Sequence, residues 1–132
     1  MKRLFVDTSA WYALADRKDP DHASVARCLG EHPGRLLTTN FVLDESVTLI
    51  RYRLGFAAAR TFGESLLEGA VAGMIWIARR DERRAWEIFS RYRDKSFSYT
   101  DCTSFAAMER LKLKSAVAID ADFRAFGVDC VP

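Results

Sequence analysis

Two histidines and three cysteines are all this chain offers for soft-metal chemistry. Cys28, Cys102 and Cys130 are an odd number with no C-x-x-C spacing. That argues against a disulfide framework or a zinc knuckle and for small buried residues in a reducing compartment. His22 and His32 do not stand at metal-ligand spacing, so any metal here must be held by oxygen. Long apolar runs are missing too. The richest stretch, around 70–78, is interrupted by Gly73 and falls short of the roughly 18 residues that cross a bilayer. Met1-Lys2-Arg3 is followed by only Leu4-Phe5-Val6 before Asp7, a strand ending in a charge rather than a signal-peptide core. A cytoplasmic protein with no membrane partner is expected. One-sided charge is also absent: 20 basic residues against 18 acidic ones leave +2, too little to define a partner by itself.

What is present suits one globular domain over residues 1–132, with 49% hydrophobic and 29% charged residues, close to the averages for soluble folds. The distribution of charge says more than its sum. Between Arg79 and Arg93 stand six arginines against three acids, Asp81, Glu82 and Glu87. Arg79, Arg80, Arg83 and Arg84 are therefore candidates for a phosphate-binding surface, although charge alone favours a solvated helix face. Arg51, Arg53 and Arg60 form a second basic group.

Strand and helix signals alternate along the chain. Residues 3–6 read as a buried strand, followed by helices over Ser9–Ala15 and Asp21–Leu29, the latter introduced by Pro20. A short strand at 36–38 precedes a helix capped by Thr39 or Asn40 and closed by Gly55, with Leu43, Val47, Ile50 and Leu54 as its apolar stripe. A helix over Phe56–Glu68, a strand over Met74–Ile77 and a helix over Glu82–Tyr92 follow. On this last helix Trp86 and Phe89 are expected to face inward. Ser98 opens a helix to about Leu111, and its offset from Asp101 suits a capping box. A strand at 116–119, a short helix around Phe123 and a strand over Val128–Val131 complete the chain. This alternation predicts an α/β fold with a mainly parallel central sheet.

Two of the strands end in an aspartate, Asp7 and Asp120. In open parallel sheets ligands sit beyond the carboxyl ends of the strands, at the switch point of the topology. Either aspartate alone could be only a helix cap. A hydroxyl pair (Thr8, Ser9) follows the first, and a further acid (Asp122) follows the second. Glu45 lies in an apolar helix segment, where an unpaired carboxylate is costly, while Asp44 falls on a different azimuth. Asp101 sits in the first turn of its helix, where the macrodipole favours an acid.

The segments Phe5-Val6-Asp7-Thr8-Ser9-Ala10-Trp11, Thr39-Asn40-Phe41-Val42-Leu43-Asp44-Glu45, Phe97-Ser98-Tyr99-Thr100-Asp101-Cys102 and Ala118-Ile119-Asp120-Ala121-Asp122-Phe123 together resemble the PIN domain. More narrowly, they are similar to the VapC-like toxins of bacterial toxin–antitoxin pairs. The resemblance spans essentially the whole chain. It implies a PIN-like three-layer fold, with helices flanking the sheet, and a metal-dependent endoribonuclease. Asp7, Glu45, Asp101 and Asp120 would occupy the family's acidic positions, with Thr8, Ser9, Thr100 and Asp122 as supporting residues. Metal ligation would fall to Asp7, Asp101 and Asp120, and Glu45 would orient or deprotonate the attacking water. Two carboxylates about 4 Å apart repel by about 4 kcal/mol at an effective dielectric near 20. An acidic cluster of this kind is therefore suited to a divalent cation, and its all-oxygen donors favour Mg2+ or Mn2+.

The resemblance further implies a homodimer held by a cognate antitoxin, whose C-terminal segment would lie in an apolar groove near the acids. Trp11, Tyr12, Phe41, Tyr52 and Phe56 are candidate surface for it. Receiver domains and haloacid-dehalogenase-like phosphatases are disfavoured, because neither an acidic pair nor Asp-x-Asp follows the first strand. A housekeeping PIN nuclease in RNA processing and a non-catalytic binding domain remain as alternatives.

Overall fold

The computed structural model describes residues 2–132. In chain order the elements are β1 (Arg3–Val6), α1 (Thr8–Ala15), α2 (His22–Glu31), β2 (Arg35–Thr39), α3 (Asn40–Leu54), α4 (Phe56–Leu67), β3 (Gly73–Ile75), α5 (Arg79–Arg91), α6 (Tyr99–Leu111), β4 (Ser115–Val117), α7 (Asp122–Phe126) and β5 (Asp129–Val131). The five strands form one sheet in the order β3-β2-β1-β4-β5, and every neighbouring pair is parallel. Leu4, Phe5 and Val6 are consecutive and all buried. Successive strand residues point to opposite faces, so both faces of the sheet are covered, as a parallel sheet requires.

Because β1 lies between β2 and β4, the chain leaves it toward one flank of the sheet and later returns on the other. The switch point is therefore the β1–β4 gap, and a crevice opens beyond the carboxyl ends of these two strands. Pairing across the gap runs in register from Phe5 opposite Ala116 to Val6 opposite Val117. One further bond, from the Asp7 N–H to the Val117 carbonyl at 3.0 Å, carries the pairing past the end of β1.

Buried polar groups lock the centre. The Trp11 indole N–H donates to Thr38 Oγ1 at 3.2 Å, and the Thr38 hydroxyl donates to the Val6 carbonyl at 3.1 Å. This chain fixes α1 against β1 and β2 and satisfies the indole that burial would otherwise penalise. Helix α6 carries a long buried run, with every residue from Asp101 to Met108 buried. Its Phe105 ring meets Phe97, Phe123 and Phe126. Helix α5 is fastened to α6 by Arg110, whose Nε and Nη2 donate to the two oxygens of Asp81 at 2.7 and 2.9 Å. Burial alone would raise Asp81, but the guanidinium and the Ala78 N–H outweigh it and hold the carboxyl below its ordinary range.

Several sequence-based expectations need correction. Trp86 and Phe89 do not face inward: they are 60% and 41% exposed, and the buried line of α5 is Asp81, Ala85 and Ile88. Asp81 takes an inward position because Arg110 neutralises it there, which rotates the aromatic pair outward. The buried line of α3 is Val42, Ser46 and Ile50 rather than Leu43, Val47, Ile50 and Leu54. Trp11 is wholly buried and Tyr12 nearly so, so neither offers docking surface, whereas Tyr52 and Phe56 are exposed. The three cysteines are free. Among the described residues no helix is long and apolar enough to cross a membrane.

Candidate active site

Asp7 is the first residue beyond β1 and the N-cap of α1. Its Oδ2 accepts from the Ser9 N–H at 3.3 Å and the Ser9 hydroxyl at 2.9 Å. The Ser9 hydroxyl also accepts from the Ile119 N–H at 3.0 Å. One side chain thus ties the end of β1 to the segment that follows β4 and leads into Asp120. That segment closes with an Asx-type turn, in which the Asp122 N–H donates to Asp120 Oδ1 at 3.2 Å.

Asp101 comes from a different direction, the first turn of α6. The expected capping box is present: Ser98 Oγ accepts from the Asp101 N–H at 3.0 Å, and Asp101 Oδ2 accepts from the Ser98 N–H at 3.1 Å. The three aspartates share one arrangement. Each commits one oxygen to a local hydrogen bond and leaves the other without one among the described residues. For Asp7 the uncommitted atom, Oδ1, is fully buried and has no partner. Such an orphan is expensive unless something outside the chain satisfies it.

The electrostatics point the same way. Asp7 is pushed up to about 7, first by burial and then by the charge of Asp120, against the opposing bonds from Ser9 and the pull of the nearby Thr8 N–H. Asp101 is also raised to about 7, mainly by burial, with the charges of Asp7, Asp120 and Asp122 adding to it and the Ser98 N–H opposing. Asp120, at the exposed rim, is raised by burial and by Asp122, while the Asp122 N–H works against both. These are carboxylates in one another's field, and a divalent cation would relieve both the crowding and the desolvation.

Among the described residues no three acids close into a ready-made cage for an ion. Mg2+ does not need one, since it keeps several waters and commonly uses only one or two carboxylates. The orphaned Asp7 oxygen and the all-oxygen donor set therefore fit such an ion.

The remaining candidates divide. Thr8 adds a buried hydroxyl without a partner. Thr100 is half-buried beside Asp101. Asp122 is half-buried and accepts a long bond, 3.5 Å, from the Ser96 hydroxyl. Glu45 is half-buried on α3, next to buried Ser46 and exposed Asp44, and no hydrogen bond or ion pair joins it to the three aspartates. Of the arginines, Arg79, Arg80 and Arg83 are exposed. Arg84 is held by Glu109 through two bonds of 2.8 and 3.2 Å. Two of the three acids of α5 are engaged off the helix: Asp81 takes Arg110, and Glu82 accepts from the Tyr99 hydroxyl at 3.0 Å. Sequence reasoning overlooked the Ser9–Ile119 bond, which joins residues 110 apart. The local half of that signal, the hydroxyl pair directly after Asp7, was legible; its long-range partner was not.

The PIN domain description matches residues 4–128. The 23S rRNA-specific endonuclease VapC20 of Mycobacterium tuberculosis is 35% identical over 124 residues, which are 94% of each chain. The crystal structure of VapC20, described as a sarcin-ricin loop cleaving toxin, has a TM-score of 0.92 at 34% identity and covers 98% of this chain and 99% of its own. A VapC ribonuclease of Archaeoglobus fulgidus is 36% identical over 123 residues, 89% of this chain and 77% of its own. A toxin–antitoxin complex from Klebsiella pneumoniae shares the fold alone, with a TM-score of 0.69 at 13% identity over 98% of this chain and 96% of its own.

Proposed function

The chain belongs to the PIN domain family, and from that premise we propose that it is a divalent-metal-dependent endoribonuclease, the toxin of a toxin–antitoxin pair. The observation that carries the reading is the carboxylate group at the β1–β4 switch point, with its orphaned Asp7 oxygen and two aspartates raised to about 7.

In this reading Asp7, Asp101 and Asp120 hold Mg2+ or Mn2+. When bound, the ion would lower the pKa of a coordinated water and offset negative charge at the scissile phosphate. The protein's own contributions follow from its hydrogen bonds. Ser9 fixes Asp7 through Oδ2 and leaves Oδ1 for the ligand. The Ser98 N–H does the same for Asp101, and the Asp122 N–H for Asp120. Glu45 orients the attacking water and accepts its proton at a carboxylate oxygen. Thr8 and Thr100 supply hydroxyls to the bound phosphate or to ordered water. Arg79, Arg80 and Arg83 bind flanking phosphates, while Arg84 stays with Glu109.

An unpaired loop of ribosomal RNA is the substrate to test first, because the relative named for 23S rRNA shares about a third of its residues over nearly the full length. The proposed partners are a second copy of the chain and a cognate antitoxin. For the antitoxin's apolar segment, the exposed Tyr52, Leu54 and Phe56 at the α3–α4 junction are the surface. The test is incubation of purified protein with a ribosomal hairpin in Mg2+ or Mn2+, with EDTA and Asp7→Asn as controls. Cleavage with metal, lost in both controls, is expected. An EDTA-resistant activity, or full activity in Asp7→Asn, would overturn the assignment.

A further inference from the structure

Four aromatic rings run in continuous contact from the mouth of the site outward. Phe41, in the first turn of α3, lies 6.3 Å from Tyr99, in the first turn of α6 and two residues from Asp101. Tyr99 meets Trp86 edge-on at 6.3 Å, and Trp86 stacks on Phe89 at 5.4 Å with only 23° between the planes. The outer pair is bare, with Trp86 60% and Phe89 41% exposed. The orientation of the strip is fixed. The Tyr99 hydroxyl is anchored on Glu82, and Asp81 and Arg110 clamp α5 to α6.

Seven and three residues before Trp86, on the same face of α5, stand Arg79 and Arg83. Both are exposed and without an ion pair among the described residues. The neighbouring acids Asp81 and Glu109 are held by Arg110 and Arg84. An aromatic platform lined by free guanidinium groups offers π-faces for bases and cations for the backbone, the combination that binds single-stranded nucleic acid.

We propose that the Phe41–Tyr99–Trp86–Phe89 strip is a base-stacking surface for the unpaired nucleotides of an RNA loop, with Arg79 and Arg83 on its phosphates. This rests on the nuclease reading and adds to it the residues that select single-stranded over duplex RNA. Bases stack on Trp86 and Phe89, and the strand then passes over Tyr99 to the carboxylates.

The experiment uses the full chain and an RNA hairpin with an unpaired loop. Trp86→Ala should raise KM roughly tenfold or more, in line with the loss of one stacked base, with kcat little changed. Trp86→Phe should restore most of the loss. The salt dependence of binding should be unaltered by Trp86→Ala and flattened by Arg83→Glu. Without metal, a short single-stranded RNA should quench tryptophan emission in Trp76→Phe, where Trp86 is the one exposed tryptophan among the described residues, and not in Trp76→Phe/Trp86→Phe. This readout needs no cleavage, so a chain that binds in this way but cuts nothing refutes the nuclease reading alone. A native chain that cuts RNA, with Trp86→Ala equal to it in KM and binding, refutes the stacking surface alone. Conversion of a dimer to a monomer by Trp86→Ala, with KM recovered at high protein concentration, would overturn the proposal and make the strip a contact between two copies.

Discussion

Replacing Asp7 by asparagine should make the metal-free protein more stable at neutral pH while abolishing cleavage. Asp7 rises from 3.8 to about 7 on folding, chiefly through burial. A carboxyl whose folded value is raised contributes full stability below its unfolded value and loses it as pH climbs through the folded value. The metal-free chain should therefore weaken between about pH 4 and pH 7. A shift of about three units corresponds to about 4 kcal/mol at 1.36 kcal/mol per unit. Asp101 titrates over the same window, so the protons belong to the coupled group rather than to one residue. Asparagine keeps the shape of Asp7 and can still accept from Ser9 through its amide oxygen, but carries no charge. Melting in EDTA should show the variant higher by about 2–4 kcal/mol at pH 8, a shift on the order of 10 °C for a domain of this size, and converging with the native chain near pH 4. Added Mn2+ should stabilise the native chain by mass action and leave the variant unmoved. A variant less stable than the native chain at pH 8 in EDTA, or two pH profiles that run parallel, would refute the reasoning.

Ser9→Ala removes the hydroxyl that joins Asp7 to the Ile119 N–H, so metal affinity and cleavage should fall together, while urea melts show a loss of only about 1 kcal/mol. Arg110→Ala leaves Asp81 charged and buried, and chemical denaturation should show a loss of about 3 kcal/mol or more. Arg84→Ala, which breaks a half-exposed pair, should cost under about 1 kcal/mol in the same assay. Charge reversal of Arg79 and Arg83 together should weaken RNA binding and reduce the slope of log affinity against log salt; an unchanged slope would return that face to solvent.

Asp7 and Asp120 were recognisable because each ends an apolar run too short for anything but a strand. A parallel sheet then directs such ends to a common edge. Ser98 and Asp101 were readable from their three-residue offset alone, since a capping box is a local structure. Gly55, at φ 98°, closes α3 as its position indicated, because that backbone conformation strongly favours glycine. Trp86 and Phe89 were misread because apolar residues on a helix signal burial only when nothing else competes for the inward face. There Arg110, 29 residues from Asp81, reverses the choice. Glu45 was legible as a residue of α3, whereas its position relative to the aspartates is set by how α3 packs, which no neighbouring residue encodes.

The sequence by itself determined the order of strands and helices, the aspartate directly after β1 and the capping box of Ser98 and Asp101, all set by neighbouring residues through periodicity, capping and chain stiffness. The tertiary structure alone decided three things. It set β1 beside β4, so that Asp7 and the Asp120 segment share the Ser9 hydroxyl. It buried Asp7 and Asp101 deeply enough to raise both to about 7. It also turned Trp86 and Phe89 outward by burying Asp81 against Arg110. Each depends on desolvation or on a bond between residues far apart in the chain, and neither is a property of any short stretch of sequence.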